Sequence, residues 1–395
     1  MKSLISNTFY LFGNLISKLL NLYCYVRNIS IVVIREDRYG HQIGTLDCEL
    51  FLARQRKNEF NRDTVFLLIE KIDNLANQYL RQITPEIVKK FGFSCHVIKS
   101  RSRLTIFYLF LKNYISENKR FYRSSKTLSP HLKKSLFDIH NTSEEILNKL
   151  KIQKEKYICI YARDSRYLNE RFPNLDWTYH NHRNTDIDNL SSLASFITSE
   201  LNLEVVRVGS NVNKAISWSK ETFPKIIDYS FSDYVSEKND IDLIASCSMY
   251  ISNGGGPETV AIAARRKMIR INQTPILEEV GYDFGIYLPM LIKRKFDESI
   301  ISISEAVNLG ISKTYNYNDY REINLYPEEN CQIDILNAFR DYIKFKNNNF
   351  SSLERSSIEE YKKIRKINEN KGLIIRGFNN FIAPSFLIKY PELLN

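Results

Sequence analysis

With 395 residues, 43% of them hydrophobic and 12% aromatic, the chain can bury two ordinary cores and is too apolar for broad disorder. Its six scattered cysteines (Cys24, Cys48, Cys95, Cys159, Cys247, Cys331) form no C-x-x-C pair and no zinc spacing, which points to a reducing, cytosolic setting. The net charge of +11 is concentrated in residues 81–134, where thirteen Lys/Arg face two acids, Glu86 and Glu117. No helix-turn-helix, zinc-finger or RNA-binding motif accompanies this stretch, so an anionic membrane surface or anionic substrate is the expected partner and nucleic acid is not.

Residues 1–28 carry an amphipathic stripe. Leu4, Ile5, Phe9, Phe12, Leu15, Ile16, Leu19, Leu22, Tyr23 and Val26 recur at helical spacing, opposite Ser3, Asn7, Asn14, Lys18 and Asn21. Its uninterrupted apolar runs, such as Phe9–Phe12, fall far short of the roughly 20 residues that span a bilayer. Two readings stay open: a helix in the membrane interface, with the basic stretch as the second attachment signal, or a helix packed on the first domain. No convincing signal-peptide cleavage site follows, so the expected location is cytoplasmic, at the inner face of the plasma membrane.

Residues 29–125 read as a small α/β domain. Ile31–Ile34, Thr64–Ile69 and His96–Ile98 are compact apolar runs expected as strands, Thr45–Lys57 has a helical pattern, and Leu104–Leu111 suits either helix or strand. The loop Arg35–Gly44 follows the first strand and carries Asp37 and His41, which with Asp47 are candidates for a general base; a structural histidine fits equally. Gly40 and Gly44 do not make the G-x-G-x-x-G spacing that a dinucleotide-dependent oxidoreductase needs. A polar, basic linker with Pro130 occupies 126–141.

Residues 142–330 alternate strands and helices. Thr142 and Glu145 have capping-box spacing before a helix through Leu150. Strands are expected at Tyr157–Tyr161, Glu204–Val208, Lys225–Asp228, Ser248–Ile251 and Met268–Ile271, and helices at Leu190–Leu201, Val212–Thr222 and Asp240–Ala245. This order implies a parallel, doubly wound sheet with its ligand at the carboxyl ends of the strands. There, Ser252-Asn253-Gly254-Gly255-Gly256-Pro257-Glu258 forms a strand-to-helix turn. Glycines let backbone N–H groups approach an anion, and a helix N-terminus carries partial positive charge, so the turn can seat a phosphate. The same run also suits an ordinary tight turn.

Other strand ends supply matching groups. Arg163 follows the first strand and offers a planar fork to phosphate oxygens, or pairs with its neighbour Asp164; Arg207 sits in the next strand. His180 and Arg183 lie in a polar loop suited to donor oxygens, where Thr185 or Asp186 can cap the following helix. Asp228 and Tyr229 are candidates near the base, and Glu258 for ribose or sugar hydroxyls. Two D-x-D matches, Asp186–Asp188 and Asp240–Asp242, open helices and do not follow apolar strands, so no metal site is expected. The tail, 331–395, is helical in pattern and expected to cross back onto the first domain.

The strings Tyr161-Ala162-Arg163-Asp164-Ser165-Arg166-Tyr167-Leu168, Asp176-Trp177-Thr178-Tyr179-His180-Asn181-His182-Arg183-Asn184-Thr185-Asp186-Ile187, Val206-Arg207-Val208-Gly209, Ile227-Asp228-Tyr229 and the glycine turn together resemble a bacterial family of glycosyltransferases found among surface-polysaccharide genes. Asp37-Arg38-Tyr39-Gly40-His41 is similar to that family's first loop. The resemblance implies a GT-B fold, two Rossmann-like domains facing a cleft, with acceptor on the first and nucleotide-sugar on the second. The expected reaction is transfer of a sugar to a glycan or lipid-linked glycan, with no cofactor, and with no metal because the D-x-D matches open helices and cationic groups gather near the glycine turn. A more distant similarity is to fucosyltransferases, in which an arginine at the place of Arg163 contacts the diphosphate. The chain departs from them in its three glycines and in lacking a second arginine directly after Arg163, so a GDP-fucose donor is not implied. The alternative is a non-catalytic glycan- or nucleotide-binding partner that keeps the fold.

Overall fold

Three apolar runs of the first half become parallel strands, β1 (Ile29–Ile34), β2 (Asp63–Glu70) and β3 (Ser94–Lys99), hydrogen-bonded in that order. The computed structural model describes residues 18–19, 22–34, 36, 39–70, 75–99, 134–137, 143–218, 225–276, 285–370 and 380–395. The chain divides into two units, 1–140 and 141–395.

Parallel strands need crossover connections, and in the first unit these are the helices Tyr39–Phe60 and Gln78–Lys90. The second was not apparent from pattern because Pro85 interrupts it. Its buried face is nonetheless regular, Leu80, Ile83, Thr84, Ile87 and Val88, and Asn77 Oδ1 caps it by accepting Leu80 N–H at 2.7 Å. The helix after β1 begins at Tyr39, so His41 lies in its first turn and not in a loop. Asp37 lies outside the described residues, as do Leu104–Leu111, Thr142 and most of the basic stretch. The described part of the N-terminal stripe, 18–19 and 22–26, is helical, with Leu22, Tyr23, Tyr25 and Val26 exposed and Cys24 buried. Among the described residues, no helix is long and apolar enough to cross a membrane.

The second unit is a seven-stranded sheet, β12-β9-β8-β7-β4-β5-β6, comprising β4 (Tyr157–Tyr161), β5 (Glu204–Arg207), β6 (Ile226–Asp228), β7 (Met249–Ser252), β8 (Lys267–Gln273), β9 (Ile286–Pro289) and β12 (Phe381–Ile382). Every neighbouring pair is parallel. Such a sheet is covered on both faces, which is why its central strands are continuous apolar runs such as Ile158-Cys159-Ile160, all buried. A separate antiparallel pair, β10 (Leu291–Arg294) and β11 (Leu325–Glu328), follows β9.

Most expected elements of this unit are present, with one correction. Val212–Thr222 is not helical over its described part, 212–218. Its backbone groups are taken by side chains distant in sequence. Arg207 Nη1 donates to Lys214 O at 2.7 Å, Ile216 N–H donates to Asp228 Oδ2 at 2.8 Å, Asn213 N–H to Asp164 Oδ2 at 2.8 Å, and Arg166 Nη1 to Val212 O at 2.9 Å. Those bonds replace the helical ladder.

The tail from Cys331, read in sequence as helices crossing back, is bound into the second unit. Helix Gln332–Lys346 meets helix Ser191–Glu200 through an edge-on Phe196–Phe339 contact with ring centroids 6.2 Å apart. The phenols of Tyr287 on β9 and Tyr361 share a 2.6 Å hydrogen bond, and β12 extends the sheet beside β9.

Candidate functional site

From β4 the chain winds outward through β5 and β6, then returns to the other side of β4 as β7 and winds outward again through β8 and β9. The direction reverses between β4 and β7. At such a reversal the connections leave toward opposite faces and open a crevice at the carboxyl ends of the strands. Arg163 follows β4 and the glycine turn follows β7, so the two motifs meet there.

Asn253 joins them. Its Oδ1 accepts the Arg163 backbone N–H at 2.8 Å and its Nδ2 donates to Arg183 O at 2.8 Å. Thr185 N–H donates to Arg163 O at 2.9 Å, so the polar loop 178–185 is tied to the same point. The Arg163 guanidinium, largely buried, donates through Nη1 to Asn184 Oδ1 and, at 3.5 Å, to His180 O. Burial, and then the like charge of Arg183, lowers its pKa, against the opposite influence of Tyr161 and Asp164. Asp164 does not hydrogen-bond the guanidinium. Its two oxygens accept the N–H groups of Arg166, at 2.9 Å, and Asn213, at 2.8 Å.

The glycine turn is held from beneath. Gly254 and Gly255 have φ of +87° and +111°, conformations that favour glycine. A Cβ on Gly254 would stand 3.3 Å from Arg270 Nη2. Ser252 Oγ and Arg270 Nε both donate to Glu258 Oε2 at 3.0 Å, so Glu258, expected to meet sugar hydroxyls, is committed to a buried ion pair under the turn. Gly256 O accepts from the Thr259 hydroxyl at 2.7 Å. The helix that follows, Glu258–Ala263, has six residues, too short for its dipole to be the main attraction.

Behind Arg163, the loop 178–183 packs on 315–320. His180 Nδ1 lies 3.3 Å from Tyr315 O, and the Arg183 guanidinium lies over the Tyr315 ring at 5.2 Å. His182 stacks on Tyr317, centroids 5.7 Å apart and planes 16° from parallel. Both its ring nitrogens are buried without a hydrogen-bond partner among the described residues. Burial, reinforced by Arg183, His180 and Arg163, pushes its pKa down to about 4.

No protein-family model and no curated protein matches the chain. Solved structures similar to the chain include the E. coli heptosyltransferase WaaC with ADP, at 8% identity and TM-score 0.31, covering 66% of this chain and 90% of that one. The E. coli ADP-heptose lipopolysaccharide heptosyltransferase II follows at 12% identity and TM-score 0.32, covering 62% and 86%. The Methanocaldococcus jannaschii UDP-GlcNAc 2-epimerase, with UDP-GlcNAc and UDP, matches at 11% identity and TM-score 0.23, covering 65% and 72%. At these scores the likeness carries no functional weight.

Several expected site residues face inward. Arg207 is 2% exposed and pairs with Asp228 at 3.4 Å, forming the strut that holds 212–216 rather than opening toward a ligand. Tyr229 is buried, and its hydroxyl accepts Ser236 N–H at 3.0 Å. Both carboxylates of the first D-x-D, Asp186 and Asp188, bind Lys214 at 2.7 Å, and Asp186 also caps the short 3-10 helix Ile187–Leu190. In the second, Asp242 pairs with Lys238 at 2.8 Å. No group of three or more His, Cys, Asp or Glu able to hold a metal occurs among the described residues. His41 belongs to the other unit, and its side chain lies outside those described.

Sequence reasoning passed over Tyr161, Asn184 and His182. Asn184 and His182 sit inside the recognised polar cluster, so their proximity was a signal. Tyr161 looked like the last core residue of a strand.

Proposed function

We propose that the second unit binds the diphosphate of a nucleotide-sugar, and that the protein is a GT-B glycosyltransferase acting on a glycan or lipid-linked glycan in surface-polysaccharide synthesis. The observation that carries this reading is the Asn253 bridge, which holds the Arg163 backbone at 2.8 Å and joins a cationic strand end to a glycine turn at the switch point. The sequence resemblance supports the donor class. In transfer, an acceptor oxygen forms a bond to the anomeric carbon as the bond to the diphosphate breaks, and the electron pair passes to a phosphate oxygen. Arg163 and the N–H groups of Gly254, Gly255 and Gly256 would stabilise that charge, the work a divalent cation does elsewhere. His180 and Arg183 would line the donor. His41, assisted by Asp37, is the proposed base for the acceptor hydroxyl. The exposed Leu22, Tyr25 and Val26 of the N-terminal helix support attachment to an anionic membrane surface.

Calorimetry with ADP, GDP and UDP, followed by a transfer assay with the corresponding sugars, tests the reading. Arg163→Ala should weaken the best-bound diphosphate by roughly ten- to a hundredfold, the loss of a charged hydrogen bond. Transfer should survive EDTA. Unchanged binding by Arg163→Ala, or activity that returns only with manganese or magnesium, would overturn the corresponding part. Binding with neither transfer nor donor hydrolysis would point to the non-catalytic alternative.

A further inference from the structure

Two of the glycines around the crevice make room for a side chain of the protein itself. Tyr161 ends β4, opposite Ser252 of β7 in register. A Cβ on Gly209, in the loop after β5, would stand 2.9 Å from Tyr161 Cε2 and 3.0 Å from Cδ2. On the other edge of the ring, a Cβ on Gly255 would stand 3.4 Å from Cε1 and 3.5 Å from the hydroxyl oxygen. The phenol therefore sits between the loops that follow the two strands flanking β4, with its hydroxyl under the glycine turn.

No hydrogen bond to that hydroxyl occurs among the described residues, and Arg163 and Arg183 act on it electrostatically against the opposite influence of Asp164 and Tyr167. Tyr161 is half-buried, and burial pushes its pKa up to about 12, so it keeps its proton and can donate. A hydroxyl under the glycine turn, with the cations Arg163 and Arg183 set against the one carboxylate Asp164, is suited to donate to an anion.

We propose that the Tyr161 hydroxyl is a further donor of the anion seat, binding a phosphate oxygen of a nucleoside diphosphate between Arg163 and the Gly254–Gly255 turn. This rests on reading the crevice as a diphosphate site. It also changes the role of Gly255: its missing Cβ admits the phenol, and the phenol meets the ligand.

Tyr161→Phe keeps the ring between the two glycines and removes only the hydroxyl. ADP, GDP, UDP and inorganic pyrophosphate are titrated calorimetrically into the wild type and the variant, with adenosine, guanosine and uridine as comparisons. The diphosphates and pyrophosphate should bind the variant about tenfold more weakly, while nucleoside binding and melting temperature stay at wild-type values. A purely structural role would lower the melting temperature and nucleoside binding together, and that result overturns the proposal. Equal diphosphate affinity in variant and wild type overturns it alone. No diphosphate binding by the wild type overturns the donor-site reading as well.

Discussion

Asn253 Oδ1 accepts the backbone N–H of Arg163 at 2.8 Å across 90 positions of sequence. One amide side chain thereby fixes the spacing between the loop after β4 and the glycine turn after β7, and its Nδ2 secures the Arg183 carbonyl as well. Because Asn253 is buried, Asn253→Ala leaves a donor and an acceptor unsatisfied. The expected cost is about 2–4 kcal/mol in urea unfolding, with diphosphate affinity falling in parallel. A variant as stable as the wild type would show that the bridge is not what holds the crevice.

Gly209 and Gly310 separate two costs of losing a glycine. Both have positive φ, +121° and +76°, but a Cβ on Gly310 meets nothing within 4 Å whereas one on Gly209 meets the Tyr161 ring. Gly310→Ala should cost about 1 kcal/mol from backbone strain, and Gly209→Ala about 2–4 kcal/mol. In a Tyr161→Ala background the excess at Gly209 should shrink. If the two alanine variants unfold at the same denaturant concentration, the ring is not confining Gly209.

His182 should make stability depend on pH. Its folded pKa, about 4, lies below the unfolded value of about 6.5. Between these values the unfolded chain binds a proton that the folded one does not. The contribution is fully present above about pH 6.5 and lost as pH falls toward 4. Near pH 5 the expected loss is about 1–2 kcal/mol relative to His182→Phe, which keeps the stacking on Tyr317 without titrating. Urea titrations of both proteins at pH 7.5 and 5 measure the difference, and parallel losses would assign it to other groups.

The Arg207–Asp228 pair is predicted to be a strut. Arg207→Met leaves the largely buried Asp228 carboxylate without its cation and releases Lys214 O, so stability should fall by about 3–5 kcal/mol. Replacing both residues by apolar ones of similar size should cost less than the single change. Exchange of the Ile216 amide, which donates to Asp228 at 2.8 Å, should rise in either variant. A variant that loses diphosphate affinity while keeping its stability would return Arg207 to the ligand site.

The strands were legible because each is decided locally. A parallel strand covered on both faces favours an apolar run, and Tyr157–Tyr161, Val205–Val206 within Glu204–Arg207 and Met249–Ile251 within Met249–Ser252 are such runs. The glycine turn was legible for a similar reason: Gly254 and Gly255 need conformations that other residues resist. Helix Gln78–Lys90 escaped because Pro85 masks an otherwise regular buried stripe.

Sequence by itself determined the alternation of strands and helices, the glycine turn, and the cationic strand end at Arg163, since these follow from backbone preference, apolar pattern and residue chemistry over a few neighbours. Tertiary structure alone decided which polar groups face the crevice. Arg163 and Arg207 are both arginines at neighbouring parallel strand ends, yet one donates to the neutral oxygens Asn184 Oδ1 and His180 O while the other is paired to Asp228 and spent on Lys214 O. Glu258 is paired with Arg270, and the segment 212–218 is drawn out of helix by four side chains from elsewhere in the unit. A buried polar group takes whichever partner the fold brings within reach, and those partners lie 7 to 49 residues away in separate elements, where no local pattern records them.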